Sequence, residues 1–242
     1  MTPFTAELIG TAFLVLLGDG VVANVVLGKT KGNSSGWIVI TAGWAFAVTI
    51  GVYIANSVTG GHLNPAVSIS QAVLGKITWD VAATYIAAQM IGAFIGAVLV
   101  WLSYLPHWAE TPEPGAKLAV FCTGPAVRNY GANLITEIVG TFVLVFALAF
   151  LISKPNLTDG TGFDKAIQPM LVGLVVWAIG VSLGGPTGYA INPARDLGPR
   201  IAHAVLPIPG KVGSDWAYAW VPVVGPIIGA ILGGFAAKAV LG

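Results

Sequence analysis

Charged residues are scarce in this 242-residue sequence: Asp, Glu, Lys and Arg together make up 9% of it, and the formal net charge is +1. A nearly neutral chain lacks the basic patch that binds nucleic acid. The single cysteine, Cys122, excludes an internal disulfide, and the His, Cys and carboxylate residues show no metal-ligand spacing. No nucleotide motif is present and no nucleophile is paired with a base. The sequence therefore predicts no cofactor and argues against an enzyme.

Long apolar runs are what the sequence does contain: 56% of its residues are hydrophobic, and the mean hydropathy is +0.84. A helix needs about 20 apolar residues to cross a bilayer. Six runs are close to this length, at 4–27, 37–57, 79–101, 132–153, 166–185 and 217–239. The first run lacks a preceding basic region and contains Glu7, which favours a retained span over a cleaved signal peptide. These features predict an all-α, multi-pass integral membrane protein.

Two further apolar segments, 62–75 and 190–206, are too short to cross a membrane. Each is typical of a half-helix that enters from one side and ends near mid-depth. Irregular backbone at that depth is tolerated only where it is packed in protein or lines a wet cavity.

Three pairs of segments repeat in the same order along the chain. "AELIGTAFLVL" matches "TEIVGTFVLVF", "GGHLNPAV" matches "GYAINPAR", and "QMIGAFIGAVL" matches "PVVGPIIGAIL". We interpret residues 1–242 as one domain of two repeats, approximately 1–101 and 132–242, joined by a long loop at 102–131. Each repeat holds three spans, so the second must insert upside down, as in membrane transport proteins. The two half-helices should then meet, N-terminus to N-terminus, near the midplane.

The second of these repeated pairs contains Asn-Pro-Ala in both copies. Asn is a strong helix N-cap and Pro suits the first helical position, so Asn64-Pro65-Ala66 and Asn192-Pro193-Ala194 each indicate a helix start. If the Asn oxygen caps its own helix, its NH2 group is left as a donor that faces outward. Two ordinary capped turns would explain one copy. Two copies in register with the other repeats favour a shared polar site.

These segments resemble the signature loops of the major intrinsic protein family, the aquaporins and glycerol facilitators. The resemblance covers essentially the whole chain and implies six spans with two half-helices, one pore per subunit and a homotetramer. It also implies a location in a bacterial-type plasma membrane. Alignment on the two Asn residues implies a selectivity filter of Trp44, Gly180, Tyr189 and Arg195.

The glycerol-conducting branch is the more similar one. Asp196 follows Arg195 as in that branch, and Gly180 stands where water-selective members typically carry His, which implies a wider opening. One departure is Tyr189, where the comparable facilitators have Phe. Its hydroxyl could narrow the filter or offer a hydrogen bond. The resemblance implies a passive channel for glycerol and water that excludes ions and protons, with dihydroxyacetone, urea and undissociated lactic acid as further candidate solutes.

Other polar residues have supporting parts in this interpretation. We expect Arg195 to face water and solute, whereas Asp196 should bond the loop, since adjacent helix residues point in different directions. The symmetric placement of Glu7 and Glu137 predicts that they accept N–H groups of the half-helix loops. By resemblance, His62 lines the vestibule on its side of the pore. Asp19 has no counterpart in the second repeat.

Two alternatives stay open. The protein could be mainly a water channel, given the unusual Tyr189. It could also be a secondary transporter of a small polar solute, since such proteins use inverted repeats and broken helices. The Gly-rich spans, such as "GAFIGAV", favour a rigid bundle over rocking halves.

Overall fold

A computed structural model describes residues 1–151 and 163–242, and the side chains of all of these except 163–165. Every regular element in the described ranges is a helix. The helices are α1 (Pro3–Val26), α2 (Trp37–Thr59), α3 (Pro65–Val73), α4 (Trp79–Ser103), α5 (Leu105–Ala109), α6 (Pro114–Phe121), α7 (Tyr130–Leu151), α8 (Phe163–Leu183), α9 (Pro193–Val205) and α10 (Val221–Leu241).

Six of these helices, α1, α2, α4, α7, α8 and α10, are long and apolar enough to cross a membrane, which confirms the six predicted spans. Their bounds agree within a few residues except at the last span. That helix begins at Val221 rather than at 217, because Pro222 in its first turn suits a helix start and turn residues precede it. The end of the predicted span 132–153, and residues 154–162 of the connector after it, lie outside the described residues.

The segment 102–131, predicted to be a loop, is partly helical in the structure. It carries α5 and α6, each with a proline in its first turn, a position where the missing N–H has no intrahelical partner to lose. Trp108 and Phe121 are fully buried and stack with their ring centroids 5.5 Å apart. Burial of these two rings draws the connector against the bundle, and α6 contacts α1 and α9.

Small residues let the long helices approach closely. A Cβ atom on Gly96 of α4 would lie 2.5 Å from the Ala12 carbonyl oxygen of α1. A Cβ on Gly229 of α10 would lie 2.3 Å from the Ile138 carbonyl oxygen of α7. The same close contact thus joins the first and last spans of both halves, which is the packing typical of membrane helix bundles.

The half-helices begin at the two prolines. Helices α3 and α9 start at Pro65 and Pro193, and the residues before each proline are non-helical. Both half-helices pack against α4 and α10, so each touches both halves of the chain. This arrangement brings the two helix N-termini together inside the bundle.

Candidate functional site

A cavity of about 590 Å³ lies within the bundle beside the half-helices. Its wall is largely apolar, with residues such as Leu14, Val48 and Val176 contributing to the lining. Polar groups enter it at a few points only. They are His62, Asn64, Gln71, Lys76, Gln168, Asn192, Arg195 and Lys238.

The two capping asparagines tie the half-helices to one another. The Asn64 side-chain oxygen accepts the Ala66 N–H at 2.9 Å, and Asn192 accepts the Ala194 N–H at 3.0 Å. Each NH2 group donates one hydrogen across the junction, from Asn64 to the Ile191 carbonyl and from Asn192 to the Leu63 carbonyl, both at 2.8 Å.

An amide NH2 group carries two hydrogens, so each asparagine keeps a second donor. Both residues line the cavity. The sequence predicted that each NH2 group is left as an outward-facing donor, whereas in the structure one of its two hydrogens holds the two loops together. One N–H from each half-helix is left for a solute.

The loops before the half-helices are hydrogen-bonded to two buried glutamates. Glu7 of α1 accepts the backbone N–H groups of His62 and Leu63 at 3.0 and 2.8 Å. Glu137 of α7 accepts those of Ala190 and Ile191 at the same two distances. Both carboxylates are almost completely buried. The glutamates thus hold the loop N–H groups, while the carbonyl oxygens of Leu63 and Ile191 each accept one asparagine N–H and keep a second lone pair.

A threonine completes each of these bonding sets, which the sequence interpretation missed. Thr59 donates its hydroxyl to Glu7, and Thr187 donates to Glu137 at 2.7 Å. Gln89 adds a further bond to Glu7 at 2.8 Å. The signal was present in the repeat, since Thr59 and Thr187 lie five residues before the two asparagines.

Three of the four residues of the implied filter, Trp44, Tyr189 and Arg195, line the cavity, and the fourth, Gly180, lies against Tyr189. The Arg195 guanidinium carbon lies 4.0 Å from the centre of the Trp44 ring, a cation–π contact. Arg195 lines the cavity, and among the described residues none hydrogen-bonds its guanidinium. Its N–H groups are therefore available to whatever occupies the cavity.

Gly180 contributes by what it makes room for. A Cβ on Gly180 would lie 2.8 Å from the Cζ atom of Tyr189, so the phenol ring occupies the space that a side chain on Gly180 would take. Tyr189, not Gly180, lines the cavity. The glycine alone does not define the width of the opening, because the ring rests against it. The Tyr189 hydroxyl has no hydrogen-bond partner among the described residues.

Asp196 points away from the cavity and bonds the connector. Its carboxylate accepts the backbone N–H and the hydroxyl of Thr123 at 2.7 and 2.6 Å. Arg200, four residues later, pairs with it at 2.7 Å and also donates to the carbonyls of Thr123, Ser214 and Asp215. Both charged side chains are fully buried. The ion pair therefore fastens to α9 both the connector at Thr123 and the loop that holds Ser214 and Asp215.

The ion pair between Asp196 and Arg200 was not predicted from the sequence. The spacing of Asp196 and Arg200, one helical turn apart, was the available signal for this ion pair. Its loop partners could not be read from the sequence, since they lie far along the chain.

His62 and Asp19 occupy different settings. His62 lines the cavity, and its Nδ1 atom lies 3.0 Å from the Ser68 hydroxyl. Asp19 of α1 is fully buried, and neither carboxylate oxygen has a hydrogen-bond partner within the described chain. It follows Gly18, where a Cβ would lie 2.3 Å from the Trp44 ring. Asp19 is thus close behind the cavity wall and not part of its lining.

Among the described residues, no group of three or more His, Cys, Asp or Glu side chains could hold a metal ion. The site is a cavity in a bundle of membrane-length helices, and the two half-helices meet inside this bundle. That combination defines a multi-pass membrane channel.

Comparison with known proteins gives the family. The model of the major intrinsic protein family matches residues 1–237, and the chain belongs to this family. A relative from Thermotoga maritima, described as a probable glycerol uptake facilitator protein, is 60% identical over 96% of this chain and 97% of its own. The glycerol uptake facilitator protein of Bacillus subtilis is 53% identical over 97% of this chain and 83% of its own.

A solved structure shows the same fold. The X-ray structure of the aquaglyceroporin from Plasmodium falciparum superposes with a TM-score of 0.86 at 29% identity. The match covers 98% of this chain and 95% of that one. The relatives are channels and facilitators, which at the level of the family argues against an enzyme.

Proposed function

We propose that this protein is a passive channel that conducts glycerol and related small neutral solutes together with water, and excludes ions and protons. The observation that carries the proposal is the Arg195 guanidinium, which lines the cavity with no protein hydrogen bond from the described residues, lies 4.0 Å from the Trp44 ring and shares the cavity lining with Tyr189. The names of the relatives support glycerol as the solute.

A small polyol has a hydroxyl edge and a CH edge, and this filter offers a surface to each. Glycerol that enters must shed water, and each hydrogen bond left unreplaced costs about 1–3 kcal/mol. Arg195 supplies fixed donors that remain charged at any physiological pH. The loop carbonyls at 60–63 and 188–191 supply acceptors, because Glu7 and Glu137 hold the N–H groups of these loops away from the cavity. Trp44 and Tyr189 face the CH edge.

Cations meet an unfavourable field in the same passage. Each half-helix places roughly half a positive charge at its N-terminus, and both termini lie at the Asn64–Asn192 junction. A unit positive charge about 4 Å from Arg195 would be repelled by roughly 4 kcal/mol at an effective dielectric constant of ~20. The remaining asparagine donors orient a central water with its oxygen toward them, which interrupts a proton wire. Aquaporin-type channels in general exclude protons and cations by a pore Arg and half-helix dipoles.

The setting of the channel is part of the proposal. We place the protein in the plasma membrane of a bacterial-type cell, as a homotetramer with one pore per subunit, surrounded by lipid. The whole chain is one channel domain, in which repeats 1–101 and 132–242 flank the connector 102–131. The matched bonds of Glu7 and Glu137 support two equivalent repeats.

A solute panel tests the function. Purified protein in liposomes is mixed in a stopped-flow instrument with water-osmotic, glycerol, dihydroxyacetone, urea or lactic acid gradients. We expect glycerol permeability well above that of empty liposomes. Water flux without glycerol flux would favour a mainly water-conducting channel and overturn the glycerol assignment.

A further inference from the structure

Tyr189 is held in the filter almost entirely by packing. Its backbone φ is 38°, in the left-handed region that a tyrosine rarely adopts, and its hydroxyl has no partner among the described residues. Even so, the side chain is 96% buried, since its exposed fraction is 4%. The position of this ring, and with it the width of the filter, therefore depends on the residues that touch the ring.

One side of the ring rests on two glycines of the α8 end. Gly180 and Gly184 are one helical turn apart and form a surface without side chains. A Cβ on Gly184 would lie 2.5 Å from the Cδ1 atom of Tyr189, and a Cβ on Gly180 would lie 2.8 Å from its Cζ atom. The ring thus lies directly on this glycine surface.

Trp37 contacts the ring next to this glycine surface. Its indole meets the Tyr189 ring edge to face, with centroids 5.8 Å apart and an interplanar angle of 80°. Its Nε1–H donates to the Gly180 carbonyl oxygen at 3.0 Å. Its Cζ2 atom lies 2.8 Å from where a Cβ on Gly184 would be. One side chain therefore contacts the ring and both halves of the glycine surface.

Trp37 also belongs to α2, the helix that carries the filter residue Trp44. It begins α2, and Trp44 follows seven residues later, about two helical turns along the same helix. Because Trp37 lies on α2, its contacts with Tyr189 and with the Gly180 carbonyl connect α2 to the α8 end. The indole thus links the two aromatic walls of the filter through a single side chain.

We propose that Trp37 is a positioning residue that sets the solute-size limit of the channel by bracing Tyr189, although it does not itself line the cavity. This proposal rests on the proposed channel function and adds a determinant of its selectivity. A tryptophan at a helix start near the membrane surface is commonly an interfacial anchor. An anchor alone would not need the edge-to-face contact with Tyr189 or the bond to Gly180.

The test compares Trp37→Leu and Trp37→Phe with Trp79→Leu in liposomes. Trp79 is a matched control because it also begins a membrane-length helix and is 60% exposed. Its side chain makes no ring contact or hydrogen bond with the described residues. The readout is the ratio of erythritol to glycerol permeability, which a general loss of folded protein does not change. We expect Trp37→Leu to raise the ratio about threefold to tenfold, the range for losing one aromatic pair.

Trp37→Phe keeps a ring beside Tyr189 but loses the Nε1–H donor, so an intermediate ratio is expected. If Trp37→Leu does not fold, Trp37→Phe decides the matter by itself. Trp79→Leu should keep the wild-type ratio.

Coupling to Tyr189 separates bracing from a general packing role. In a Tyr189→Ala background the ring is absent, and Trp37→Leu should leave the ratio unchanged. An equal change in both backgrounds, or a wild-type ratio in a folded Trp37 variant, would overturn the proposal. Failure of the channel function itself gives a different result, because wild-type protein would then pass no glycerol.

Discussion

Adding one methyl group at Gly180 should convert the filter into a narrower one. A Cβ there would lie 2.8 Å from Tyr189 Cζ and 3.0 Å from Thr41 Cγ2. Ordinary contacts between carbon atoms begin at about 3.5 Å. In Gly180→Ala the Tyr189 ring must therefore move away from position 180 by roughly 0.7 Å. Because Tyr189 lines the cavity, we expect the ring to move toward the cavity.

The size of the effect follows from the cost of overpacking. Inserting one methylene into a well-packed site costs typically about 1–3 kcal/mol. If about 1.4 kcal/mol of this is imposed on glycerol in the filter, the permeability falls about tenfold. Water is smaller and should lose less than about threefold, by the same relation between barrier and rate.

Stopped-flow light scattering of proteoliposomes measures both permeabilities on one preparation. Gly20→Ala is a matched control, since Gly20 lies in α1 and a Cβ there would meet nothing within 4 Å. The control should keep both permeabilities. Unchanged glycerol permeability in Gly180→Ala, or an equal fall for water and glycerol, would refute the argument that Tyr189 is pressed into the pore.

Three further variants test other parts of the site. Tyr189→Phe removes a hydroxyl that has no partner among the described residues, and should raise glycerol or larger polyol flux in the solute panel; unchanged flux would mean that the hydroxyl does not narrow the opening. Glu137→Gln replaces a charged acceptor of two loop amides, and a hydrogen bond to a charged group is worth about 1.5–3 kcal/mol. The thermal unfolding midpoint should therefore fall by several degrees, and an unaltered midpoint would contradict this. Arg195→Val should leak protons more than Asp196→Asn, as followed by a trapped pH-sensitive dye under a clamped potential. Equal leaks would count against the proposed charge barrier.

Much of the fold could be predicted because its determinants are local or repeated. Six apolar runs of membrane length need no knowledge of tertiary contacts. The Asn-Pro pairs indicate helix starts from the chemistry of two adjacent residues. The internal repeat then aligned Glu7 with Glu137, and the structure gives these two carboxylates equivalent loop partners.

Distant contacts account for what could not be predicted. Trp37 and Gly180 are bonded across 143 positions, and Arg200 reaches Thr123 across 77. No periodicity or spacing carries such pairings. The short helices α5 and α6 were missed for a related reason, since their stability comes from burying Trp108 and Phe121 against the bundle rather than from their own length.

The central claim is passive conduction of glycerol, and uptake of radiolabelled glycerol into proteoliposomes tests it most directly. With an imposed proton or sodium gradient, internal glycerol should rise faster than in empty liposomes and level off at the external concentration. Accumulation above that level would show coupled transport, and uptake no faster than in empty liposomes would show that glycerol does not pass; either result would contradict the account.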